Sequence, residues 1–155
     1  MKFFSGLKTR KLIKAIEKNP NQFKNYRDLI QFYIENDNTI EAANIISRAL
    51  QQSWNQQEQD WLSVQQLRIG ISQGESEANI IDSALTIASS TNSTPEVRIE
   101  AALTAAPVVL KINDQLEDGK VEEILSIFEQ VQTACQGRPE IVDLMIGIVE
   151  LQAAS

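Results

Sequence analysis

Nine residues recur in this chain 35 positions apart, almost unchanged. Ala43, Asn44, Ile45, Ile46, Ala49 and Leu50 of the first copy are matched by Ala78, Asn79, Ile80, Ile81, Ala84 and Leu85 of the second, so six of nine positions agree in register. A period of roughly 20–50 residues marks stacked supersecondary units. Such stacks build a surface for holding another molecule rather than a pocket for chemistry. The repeat therefore constrains both the fold and the class of function.

Composition narrows the class further. A chain of 155 residues with 43% apolar content can bury a core as one domain. No apolar run approaches the ~20 residues of a membrane span. Lys8, Arg10 and Lys11 interrupt the N-terminal stretch too early for a secretory leader, so a cytoplasmic location is expected. Histidine is absent, which removes imidazole acid–base chemistry, His-activated nucleophiles and the usual zinc sites. Cys135 is the single cysteine; it falls on a helical face, where a buried inert thiol is expected. No enzymatic activity, cofactor or metal is expected, since no acid pair is placed with a supporting base or metal shell.

Charge is unevenly spread. Residues 1–27 hold eight bases against one acid, a net of +7, and residues 28–155 hold six bases against twenty acids, a net of −14. This asymmetry raises the question of an anionic partner for the N-terminus.

Apolar residues recur at helical spacing nearly throughout. Helices are expected over about 7–18, 21–35, 39–53, 55–73 and 75–89, from 95 up to a break at Asp118 and Gly119, and over 120–136 and 139–153. Phe3 and Phe4 read as a short arm ahead of the first. Asn36, Asp37 and Asn38 make a turn because Asn and Asp tolerate left-handed backbone. Gly74 is a stop signal. Thr94, Pro95 and Glu96 open a helix, and Pro107 should kink or split it.

The unit around residues 23–56 resembles a tetratricopeptide repeat, a helix–turn–helix of 34 residues in that family. Tyr26, Leu29 and Tyr33 stand at the large positions of its first helix, Ala42 and Ala49 at the small positions of its second, with bulky Ile46 between them and Asp37 in the turn. Ile30 departs from the family's small residue, and Trp54 from its closing proline. The next unit fits in part through Trp61, Val64, Gly74 and Ala84, while Ala15 and Pro20 fit the end of a preceding one. The resemblance covers roughly half the chain. It implies an all-α fold, a right-handed α-solenoid of antiparallel hairpins with about seven to nine helices. One domain, 1–155, is expected: a basic N-terminal arm and helix (1–19), two hairpins (20–91) and divergent hairpins (95–153).

The resemblance also implies a function. First helices of such hairpins line a concave groove that takes peptides, which would present Lys24, Arg27, Gln31 and Ile34, then Gln59, Leu62, Gln66 and Ile69. The expectation is a protein-binding adaptor with a mixed groove: amides for a ligand backbone, Arg27 for an acid, and Ile34 and Ile69 for an apolar side chain. The alternative is a peripheral adaptor whose basic segment, Lys8, Arg10, Lys11, Lys14 and Lys18, meets an anionic membrane weakly or, less readily, a nucleic acid. Against that stands the use of Leu12, Ile13 and Ile16 in packing.

Other patterns resolve to structure. Trp54, Trp61, Tyr26, Phe32 and Tyr33 at helical spacing are core rather than a base-stacking platform. Asp114, Glu117, Asp118, Glu122 and Glu123 fail as a calcium loop, because Leu116 and Leu125 fall at ligand positions. The last helix is apolar over more than half its circumference, through Ile141, Val142, Leu144, Met145, Ile146, Ile148, Val149 and Leu151. A terminal capping helix should have a polar outer face. Burial on both sides, pairing with another subunit, and continuation of the chain are all open for it.

Overall fold

The computed structural model describes residues 2–154, with side chains from residue 6 onward. They form eight α-helices and no strand: α1 (Lys2–Lys18), α2 (Phe23–Glu35), α3 (Thr39–Ala49), α4 (Gln56–Ser72), α5 (Glu77–Ser89), α6 (Pro95–Ile112), α7 (Lys120–Ala134) and α8 (Ile141–Ala154), with a single 3-10 turn at Asn113–Gln115. Helix boundaries follow local chemistry. Asp37 closes α2 in left-handed backbone at φ 58°. The Asn38 N–H donates to the Tyr33 carbonyl at 2.8 Å and the Asp37 N–H to Ile34 at 3.1 Å, the paired bonds of a Schellman ending. Asn55 opens α4 with a capping box: its side chain accepts from the Glu58 N–H at 2.8 Å, and the Glu58 carboxylate accepts from the Asn55 N–H at 3.2 Å. Gly74, at φ 74°, ends the same helix as expected.

Two expectations about helices need correction. The arm at Phe3 and Phe4 is part of α1, whose backbone is helical from Lys2; Gly6 alone weakens that stretch and does not break it. Pro107 does not split α6, which runs unbroken from Pro95 to Ile112. The ring sits on the exposed side of the helix, where water can meet the carbonyl that loses its donor.

The packing divides into two units, Met1–Gln73 and Gly74–Ser155. In the first, α1 packs on α2, α2 on α3 and α3 on α4. Its core holds Ala42, Ala49 and Ile46 buried in one cluster with Tyr26, Leu29, Ile30, Tyr33 and Ile16. Ile30 is accommodated without exposure. Trp54 closes the end of α3. Its indole N–H donates to the Ala49 carbonyl at 2.7 Å, an acceptor at the end of α3 that also takes the Gln52 N–H at 3.0 Å. Its ring meets Phe23 and Tyr26 edge-on at 5.2 and 5.5 Å.

The second unit holds two helical pairs, α5 with α6 and α7 with α8, and α5 also packs on α7 and α6 on α8. Three contacts fix how the second pair lies against the first. The Cys135 thiol meets the Pro95 carbonyl at 3.8 Å, Asn113 Nδ2 donates to the Ala154 carbonyl at 3.1 Å, and a Cβ on Gly147 would sit 3.3 Å from Cβ of Ala106. Progress along α6 thus matches progress along α8, so the two run parallel, joined by residues 40 and 41 apart in sequence. The two nonamers carry equivalent buried positions, Ile46 and Ala49 in α3 and Ile81 and Ala84 in α5. They differ at the end: Leu50 caps α3 and is exposed, while Leu85 lies inside α5 and is buried. The helices expected to form a second hairpin, α4 and α5, belong to different units.

Arg98 anchors the α5–α6 pair. It is buried, and its Nε donates to the Ala88 carbonyl at 2.8 Å, placing a cation at the negative end of α5.

Candidate functional site

The eight residues expected to line a groove do not share one environment. On α2, Lys24 and Gln31 are exposed, and Arg27 and Ile34 half-buried. Lys24 pairs with Asp28 at 2.7 Å, and the Arg27 guanidinium lies 5.8 Å from the centre of the Phe23 ring, so both cations are already engaged within α2. On α4, Gln59 and Gln66 are exposed, whereas Leu62 and Ile69 are buried in the core of the first unit. Leu62 and Ile69 are therefore removed from the groove. Burial of a Leu or Ile side chain is worth about 1.5–3 kcal/mol, and these two face α2 and α3 side chains for that reason.

The basic residues of α1 are where the wheel places them. Lys8, Arg10, Lys11, Lys14 and Lys18 are exposed, opposite fully buried Ile16 and half-buried Leu12 and Ile13. Lys8 reaches over the Phe32 ring, 5.1 Å from its centre. The apolar side of α1 is spent on packing against the α2–α3 core.

The surface that stands out lies on α8. Ile141, Leu144, Ile148 and Leu151 are buried, and the helix presents a second apolar row to solvent: Val142, Met145, Ile146 and Val149, exposed by 60%, 45%, 51% and 62%. Their spacing is i, i+3, i+4 and i+7, a single stripe along two turns. Exposed apolar residues scattered singly are ordinary, but a row on one helix face is the form that interaction surfaces take. Asp143 and Glu150 run along one edge of the stripe. They share a face with Gly147, which touches Ala106 of α6. Both acids are exposed, and neither has an ion-pair partner among the described residues.

The electrostatics around that stripe are one-sided. Residues 74–155 hold four bases and fourteen acids, a net of −10. The four bases are engaged internally. Arg98 binds the Ala88 carbonyl, Lys111 pairs with Glu77 at 3.3 Å, Lys120 pairs with Asp82 and Glu123 at 3.6 Å, and Arg138 pairs with Glu96. The Glu77 carboxyl is held below its usual range by its own backbone N–H and by Lys111, and that of Glu96 by its own backbone N–H and by Arg138.

One further feature has no counterpart in the sequence reading. An open cleft of about 400 Å³ runs along α6, lined by Glu96, Ile99, Glu100, Leu103 and Thr104 with Glu140. Its carboxylates have no metal-binding arrangement, and no group of three or more Cys, Asp or Glu among the described residues has one. Cys135 is buried, and burial pushes its thiol up despite the opposing pull of Arg98 and Arg138, which suits an inert role. Among the described residues no helix is long and apolar enough to cross a membrane.

Comparison with protein-family models, with curated proteins and with solved structures finds no match to this chain.

Proposed function

We propose that this chain is a non-catalytic interaction module, a short stack of helical hairpins of the tetratricopeptide kind arranged as a right-handed α-solenoid, which holds a protein or peptide partner. The observation that carries the reading is the exposed stripe Val142, Met145, Ile146 and Val149 on α8. Helix-in-groove recognition uses anchors at this spacing, and apolar area removed from water drives most association. The parallel run of α6 beside α8 supports the hairpin-stack part of the reading. The face of α2 that carries Lys24, Arg27, Gln31 and Ile34 is a secondary contact at most, because its cations already have partners. Affinity capture with the wild type, with Met145→Asp and Ile146→Asp together, and with Arg27→Glu tests this. The paired Asp variant is expected to lose a partner that Arg27→Glu retains. Retention by the Asp pair with loss by Arg27→Glu would return the site to α2.

A second reading rests on the five exposed cations of α1, which suit contact with an anionic surface. Co-sedimentation with anionic vesicles across a salt series tests it, and absence of binding at low salt ends it.

A further inference from the structure

Resting on the reading of α8 as the docking face, we propose that its occupant is an amphipathic helix of another protein with Lys or Arg on the flank that overlies Asp143 and Glu150. The stripe supplies the apolar half of the match. Val142 and Val149 lie seven residues apart, about 10.5 Å along the axis, and so do Asp143 and Glu150. A helix laid along α8 with apolar residues at i, i+3, i+4 and i+7 meets the stripe over the same length. Cations seven residues apart on its flank then reach both acids.

Charge selects the partner's sign. Asp143 and Glu150 have no ion pair among the described residues, and the four bases of residues 74–155 are already engaged. The unit that bears the stripe has a net charge of −10. An acidic or neutral helix gains nothing at this edge, while a basic one is steered to it and oriented on it. A second copy is a poor occupant by the same measure. Pairing α8 with α8 brings two units of net −10 together. The basic helix α1 of a second copy offers cations, but its own apolar face is packed on the α2–α3 core, with Ile16 fully buried.

The test uses the full chain and two synthetic helical peptides with the same Leu face, one flanked by Lys and one by Glu at the same positions, titrated by fluorescence anisotropy. The Lys peptide is expected to bind at least tenfold more tightly than the Glu peptide, with affinity falling as salt rises. Met145→Asp with Ile146→Asp should abolish binding, and Asp143→Asn with Glu150→Gln should weaken it about threefold to tenfold and flatten the salt dependence. Equal binding of the two peptides at the stripe overturns the basic flank and leaves the docking face standing. Binding of the Lys peptide unaltered by the Asp pair overturns the docking face itself, and so does failure of both peptides to bind. Sedimentation of the chain alone guards the remaining case: a dimer that Ile146→Asp dissociates would assign the stripe to a second copy and overturn the proposal. Circular dichroism of each variant confirms that loss of binding is not loss of fold.

Discussion

Asp37 carries more of the architecture than its exposed position suggests. It holds left-handed backbone at φ 58° in the turn between α2 and α3. Asp tolerates this conformation better than most residues, glycine better still, and a β-branched residue poorly. Asp37→Gly is expected to leave stability unchanged or raise it by up to about 1 kcal/mol, because relief of the backbone is partly offset by a more flexible unfolded chain. Asp37→Val should cost about 1–2 kcal/mol. Denaturant midpoints of the two variants check both signs. The turn was legible in the sequence because Asn36, Asp37 and Asn38 have few other uses. The exposure of Val142 against the burial of Leu144 was not legible. Ile141, Leu144, Ile148 and Leu151 repeat at helical spacing, and so do Val142, Met145, Ile146 and Val149. A helix with two apolar faces gives no sign of which one turns inward.

At the scale of helices, pairing depends on how closely two backbones approach. Gly147 faces Ala106 where α8 crosses α6, and a Cβ there would sit 3.3 Å from that of Ala106. Gly147→Ala should change stability by less than about 1 kcal/mol, since better helix propensity offsets a tight contact. Gly147→Leu should cost about 1–3 kcal/mol by overpacking, read as a lower thermal midpoint. Helix existence was legible from periodicity and from start signals such as Thr94 with Pro95 at a first turn. Partner choice was less so. The small residues Ala42 and Ala49 told where α2 and α3 approach. On α4, however, the family resemblance points Leu62 and Ile69 to an open groove, whereas their hydrophobicity suits the core in which they lie. Arg98 was invisible as an anchor, because nothing in a linear sequence pairs it with the carbonyl of Ala88 ten residues earlier.

At the scale of the molecule, charge and apolar surface define the functional reading. Glu77 and Glu96, both depressed in the folded state, bind protons less readily there than in the unfolded chain. Their contribution is therefore complete above the ordinary carboxylate value of 4.5 and is lost as pH falls from there through their lower folded values. Urea midpoints should be flat from pH 7 to about pH 5 and fall below it. The asymmetry between a basic α1 and an acidic second unit was legible from residue counts alone. Which apolar face of α8 stays exposed was not, because that follows from the packing of α8 against α6 and α7. The most direct measurement is oxidative footprinting of Met145 in the free chain and in a complex with a captured partner. Met145 should oxidise readily when free and be protected several-fold in the complex; equal oxidation with the partner still bound would contradict the assignment of α8 as the docking face.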